Sequence, residues 1–266
     1  MRNNLVRVMA LVLLATLAFG SGYAVMPASA QPAISKDCVD CPDMVSLPDG
    51  SAIGEYPVTR DQFAIFAAET SFEGKGCAKG FGASWSMDPD ADWTAPGFEQ
   101  AGDHPVVCVN WLDATAYVDW LAEKTGKPYR LPTFEESDAA YIAGGTGPYS
   151  WGADEGAICG QGNVADASYV GTFADDQRKI LTCDDGFTYT SPVTAFAPNA
   201  YGLHDTIGNV WQWTNSCLNG DCANAIMRGG GWNVPVLKWF QQGQSWGDRI
   251  MLRNFVIGFR VFRDAE

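Results

Sequence analysis

The sequence predicts an α+β domain poor in regular secondary structure, and three observations carry that reading. Helical periodicity occurs three times and then stops, with none surviving beyond residue 145. The 29 Gly and 10 Trp favour many turns and irregular loops held against large aromatic anchors. The 8 cysteines, an even number, read as a set of disulfide staples for such loops.

The chain opens with a signal-like leader, residues 1–30. Arg2 and Arg7 flank its charged start, an apolar run follows from Val8 to Phe19, and Ala28-Ser29-Ala30 supplies the small residues of a cleavage site. Cleavage is expected before Gln31, leaving one domain, residues 31–266, exported to a periplasm or beyond. Gly20, Ser21 and Gly22 break the apolar run, which is too short to span a bilayer, so no membrane partner is expected after cleavage.

Thr59 is expected to cap a first helix with Phe63, Phe66 and Ala67 on one face and an end near Thr70. Asn110 opens a second, in which Leu112, Ala116, Trp120 and Leu121 recur at helical spacing until Gly126 stops it. Thr133 and Glu136 have the capping-box spacing of a third that runs to about Ala143. Short strands are expected around Ile226–Arg228 and Gly258–Phe262. No linker-like stretch or internal repeat divides the chain.

Without residues 1–30 the chain keeps 15 Lys+Arg against 31 Asp+Glu, a formal charge of −16. That sign argues against a nucleic-acid partner and fits a surface that binds cations. Short spacing suggests bridges from Cys38 to Cys41 and from Cys217 to Cys222, with Cys77–Cys108 and Cys159–Cys183 as the simplest completion. A zinc reading of the first pair lacks its further ligands. A redox-active reading lacks the following helix that would lower a thiol pKa, since Pro42 and Pro48 interrupt the region.

Six motifs then occur in one order: Arg130-Leu131-Pro132-Thr133, Tyr149-Ser150-Trp151-Gly152, Tyr201-Gly202-Leu203, Gly208-Asn209-Val210-Trp211-Gln212-Trp213, Arg228-Gly229-Gly230-Gly231-Trp232-Asn233 and Gly258-Phe259-Arg260. In these the chain resembles the formylglycine-generating enzyme, or sulfatase-modifying factor, family from about Val58 to Arg263. The resemblance implies that family's irregular C-type-lectin-like fold. Packing alone also accounts for small residues beside large aromatics, and Arg228 and Arg260 are read as partners of buried carboxylates.

The family binds structural calcium, a hard cation that takes roughly six to eight oxygens. The resemblance implies one site on Asn163, the Val164 carbonyl, Asp185 and the Phe187 carbonyl. A second would use Asp205, Gly208, Val210 and Gln212; the family usually has glutamate at the last of these, and Asp205 restores the missing charge. The reactive cysteine pair of the formylglycine-generating members maps to Val234 and Trp239, and the preceding serine to Gly231. None of these side chains ligates copper(I) or exchanges a disulfide, so copper is not expected as a cofactor. His104 and His204 are read as structural or exposed rather than as a metal-binding pair.

A mixed surface remains between Trp232 and Phe255. Trp232, Trp239 and Trp246 with Asn233, Gln241 and Arg249 are the candidate substrate-binding residues, able to stack on a peptide or sugar and hydrogen-bond its edges. Two functions follow. One is an oxidoreductase that matures a peptide-type metabolite or protein, as the family's pyoverdine-maturing branch does, without cysteine-pair chemistry. The other is a non-catalytic lectin-like module binding a peptide, glycan or protein.

Overall fold

The computed structural model describes residues 33–79, 86–170 and 181–265; the leader read at residues 1–30 and its cleavage point lie outside them. In chain order the elements are β1 (Ile34–Ser35), β2 (Met44–Ser46), β3 (Ala52–Gly54), α1 (Arg60–Thr70), β4 (Lys75–Lys79), β5 (Ser86–Asp92), α2 (Trp111–Thr125), β6 (Tyr129–Arg130), α3 (Phe134–Ile142), β7 (Trp211–Leu218), β8 (Asp221–Arg228), β9 (Trp246–Arg249), β10 (Ile257–Phe259) and β11 (Phe262–Arg263). Short helical segments at Glu155–Gly160, Ala167–Val170 and Leu237–Phe240 interrupt the loops beyond residue 145, where the periodicity shows none. None of the described helices is long and apolar enough to cross a membrane.

Local chemistry sets the helix ends. Thr59, Asn110 and Thr133 each accept a hydrogen bond from the third residue of the helix that follows. Gln62, Asp113 and Glu136 return a side-chain bond to the cap backbone, completing three capping boxes. Glu136 also pairs with Arg130 at 2.7 Å, so this carboxylate is structural. At the far ends Ser71, Gly126 and Ala143 turn left-handed.

The inward face of α2 differs from the expected one. Leu112 and Ala116 are exposed, and the buried residues are Asp113, Ala114, Tyr117, Val118 and Leu121. Two distant partners decide this: Arg253 holds Asp113 through two bonds of 2.6 and 2.8 Å, and Phe63 of α1 stacks on Tyr117 at 5.9 Å.

Three sheets organise the strands, in the orders β1-β2-β3-β11-β6, β10-β7-β8-β9 and β4-β5. The strand expected over Gly258–Phe262 is two strands in different sheets. β10 runs parallel to β7, β11 lies antiparallel between β3 and β6, and Arg260 turns into the core between them. Four disulfides staple the loops: Cys38–Cys41 and Cys217–Cys222, the pairs that short spacing suggests, and Cys77–Cys108 and Cys159–Cys183, their simplest completion.

Candidate functional site

The site is built where the chain leaves β8. The Gly231–Val234 turn closes with the Val234 N–H donating to the Gly231 carbonyl at 2.9 Å, and the helical turn Leu237–Phe240 follows. Val234 is buried. Trp239 is half-buried and makes edge-on contacts with Trp246 of β9 at 5.4 Å and Trp211 of β7 at 6.4 Å. Lys238 places its ammonium 5.6 Å from the Trp239 ring, a cation–π distance. One step on, Gln241 Nε2 donates to the Tyr149 hydroxyl at 3.2 Å, and Trp151 stacks flat on Tyr149 at 4.6 Å.

The outcome is a wall of part-exposed side chains, Trp246, Trp239, Gln241 and Trp151, with the wholly buried Tyr149 bracing Gln241 and Trp151 from beneath. Its chemistry is stacking plus amide hydrogen bonding, with Trp246 49% exposed at one end. Burial raises the Tyr149 phenol above its ordinary pKa, and the neutral hydroxyl donates to Glu155 Oε1 at 3.3 Å.

Among the candidate substrate residues, Trp239, Gln241 and Trp246 share this wall, and Arg249 lies exposed at the end of β9. Trp232 does not belong to it. It is 1% exposed and packed edge-on against Tyr189 at 5.0 Å and Phe255 at 5.4 Å, so it is a core anchor; an indole gains more from leaving water there than from a ligand. Asn233 is half-buried beside Gly231, its Oδ1 enclosed. Tyr149, Trp151 and Trp211, which pack against these side chains, are not among the candidates the sequence offers. All three lie in motifs that carried the resemblance, but nothing in their spacing shows that they meet Gln241 and Trp239 from distant segments.

The calcium-type loops can be tested on their oxygens. Asn163 is fully buried with its Oδ1 unpartnered, while its Nδ2 donates to the Tyr189 carbonyl at 2.7 Å. Asp185 comes to the same place, accepting from the N–H groups of Val164 at 3.3 Å and Phe187 at 2.8 Å. Burial pushes the Asp185 carboxyl up to about 6, with buried Asp166 nearby. An unpartnered amide oxygen beside a carboxylate short of positive charge fits a hard cation, so the residues of the first site suit calcium.

In the second loop Asp205 has an enclosed, unpartnered Oδ1, and burial pushes its carboxyl up to about 7. Gly208 is obligatory here: its φ is +73°, and a Cβ would stand 2.1 Å from the Asn163 carbonyl oxygen. Gln212, however, is turned to other work. Its Oε1 accepts from the Tyr141 hydroxyl and from Arg260 Nε at 3.0 Å, and its Nε2 donates to the Asp205 carbonyl at 2.8 Å. A guanidinium therefore takes the oxygen that a second cation would need. Among the described residues no group of three or more His, Cys, Asp or Glu side chains is placed to hold a metal, so a cation must draw on amide and carbonyl oxygens.

The two histidines are separately engaged. His104 Nδ1 is 2.9 Å from Thr190 Oγ1, and His204 Nδ1 is 2.8 Å from the Phe196 carbonyl. Arg228 serves a carboxylate as expected, Asp138 at 2.9 Å, whereas Arg260 binds Gln212 and main-chain carbonyls. A cavity of about 1010 Å³ lined by Arg60, Asp88, Phe98 and His104 includes none of the wall residues.

Comparison with known proteins places this geometry. Residues 25–265 match the family described as "Sulfatase-modifying factor enzyme 1-like domain". The chain is 35% identical over 188 residues to a formylglycine-generating enzyme of Thermomonospora curvata, covering 60% of this chain and 58% of that protein. It is 32% identical over 212 residues to the inactive C-alpha-formylglycine-generating enzyme 2 of Mus musculus, covering 68% and 63%. It thus spans about three fifths of the length of these curated relatives. The solved structure of PvdO from Pseudomonas aeruginosa superposes with a TM-score of 0.71 at 28% identity, covering 89% of this chain and 100% of that one. The fold is the C-type-lectin-like α+β fold of these proteins.

Proposed function

The chain belongs to the sulfatase-modifying factor enzyme family, and from that premise we propose that it is an exported member that oxidatively matures a peptide-type metabolite or protein without the cysteine-pair copper chemistry. One observation carries the proposal. The positions of the family's reactive pair hold Val234 and Trp239, all described cysteines are bridged and none is free, yet the surrounding wall is a stacking and amide surface. In this reading the thiolate is replaced and the exposed stacking side chains take the substrate. PvdO, covered over its full length, supports the same reading.

Two measurements test it. Incubation with copper, dioxygen and a cysteine-containing peptide is expected to yield no formylglycine by mass spectrometry; the aldehyde would refute the loss of that chemistry. Incubation with peptide extracts under dioxygen is expected to give a product short of two hydrogens. Unchanged masses with saturable binding would favour the second reading, a calcium-stabilised lectin-like binding module. That reading rests on a wall composed of stacking and hydrogen-bonding groups.

We also assign structural calcium to the first loop, held by Asn163 Oδ1, the Val164 and Phe187 carbonyls and Asp185. When bound, the ion neutralises the buried carboxylate and ties the Asp185 loop to the core; it supplies no redox chemistry. Calcium added to EDTA-stripped protein at about 100 times its dissociation constant is expected to stabilise the fold by about 2.7 kcal/mol. Asp185→Ala should abolish that gain. An identical melting temperature with and without calcium would remove the assignment.

A further inference from the structure

The outer edge of β9 borders the Trp239–Trp246 contact and closes the sheet β10-β7-β8-β9. The Ile250 N–H donates to the Ala223 carbonyl at 3.0 Å, and β9 pairs with β8 in the register Ala225↔Asp248, Met227↔Trp246. Hydrogen-bonded and non-bonded pairs alternate in an antiparallel ladder. Trp246, Asp248 and Ile250 therefore direct their main-chain groups at β8, while Gly247 and Arg249 direct theirs outward.

The edge is already capped at Arg249. Its N–H donates to Asp248 Oδ1 at 2.8 Å and its carbonyl accepts from the Leu252 N–H at 2.9 Å. Gly247 is left, among the described residues, with one outward N–H and one outward carbonyl, next to an indole 49% exposed. A single adjacent donor and acceptor on a sheet edge is the hydrogen-bonding complement of one residue of an extended chain.

Charge narrows the occupant. The protein carries a formal charge of −16 once residues 1–30 are set aside, yet exposed Arg249 on β9 and exposed Lys238 in the adjoining turn face one half-buried carboxylate here, Asp248. The Arg249 side chain is 66% exposed, its only ion pair among the described residues the long 3.9 Å contact with Asp248, and Lys238 lies over Trp239. Side chains alternate along a strand. Trp246 therefore lies on one face and Arg249 on the other.

We propose that β9 docks an extended acidic peptide as an added strand, paired at Gly247, with its apolar side chains on the Trp239–Trp246 face and its alternate carboxylates on the Arg249 face. This rests on the peptide-type substrate read above and names its chemistry.

Calorimetry with the intact protein and the synthetic peptide acetyl-Glu-Val-Glu-Val-Glu-amide tests it. The acidic peptide is expected to bind, its lysine counterpart at least about tenfold more weakly, and the fully N-methylated acidic peptide not at all. Arg249→Glu, an exposed substitution that leaves folding unaffected, should weaken acidic-peptide binding by about tenfold. Equal affinity for the lysine or N-methylated peptide, or an unchanged Arg249→Glu variant, overturns the proposal. Mass spectrometry of the bound peptide separates the two readings. Binding without oxidation leaves this inference standing and sinks the maturation reading, whereas oxidation of other peptides with no binding of this one does the reverse.

Discussion

Replacing Arg260 with alanine is expected to destabilise the domain by about 3–5 kcal/mol, enough to leave little folded protein in a chain of ordinary stability. The side chain is wholly buried, and its three nitrogens are spent on the core. Nε donates to Gln212 Oε1 at 3.0 Å, Nη1 to the Gly54 carbonyl at 2.7 Å, and Nη2 to the His204 carbonyl at 2.5 Å. These acceptors come from β3, from the loop before Gly208 and from β7, so one guanidinium joins three regions. Truncation takes the guanidinium donor from the Gly54 and His204 carbonyls in a dry interior at about 1–3 kcal/mol apiece, while Gln212 Oε1 keeps the Tyr141 hydroxyl, and the relieved cost of burying a cation offsets only part of the loss. It also removes the positive charge beside Asp205. Lysine keeps the charge but lacks the planar fork, so Arg260→Lys should recover less than half of the loss. Urea denaturation of the variants checks this, with the exposed Arg249→Ala within about 0.5 kcal/mol of wild type as control. An Arg260→Ala protein as stable as that control would refute the structural role.

Removing the Cys77–Cys108 bridge by double alanine substitution should cost about 4 kcal/mol, whereas the same change at Cys38–Cys41 should cost about 1.5 kcal/mol. The first pair is separated by 31 residues and the second by 3, so the first restricts far more of the unfolded chain. Cys77 and Cys108 are also buried, tying β4 to the segment that enters α2. Denaturation of the two double variants without reductant measures both; equal losses would rule out chain entropy as the main source of stabilisation.

The sequence by itself determined what depends on neighbours along the chain. Capping boxes lie within four residues, so Thr59, Asn110 and Thr133 announce their helices without reference to anything distant. The identity of Val234 and Trp239, where the resemblance places the family's reactive pair, is likewise a matter of position. Only the tertiary structure decided what depends on meetings between remote segments. The face that α2 buries follows from Arg253 and Phe63, since Trp, Leu and Tyr occur around its whole circumference. Trp232 and Trp246 are the same residue type 14 positions apart, yet one is 1% and the other 49% exposed. Trp232 turns in toward Tyr189 and Phe255, and Trp246 stands on an edge strand with nothing beyond it among the described residues. The alternation around Gly258–Phe262 reads as one strand because a side-chain pattern carries no record of which sheet each residue joins. Arg260 leaves the first sheet for the core before β11 enters the second. Burial and pairing are properties of where chain segments cross, and a linear pattern holds that information only for residues within a few turns of one another.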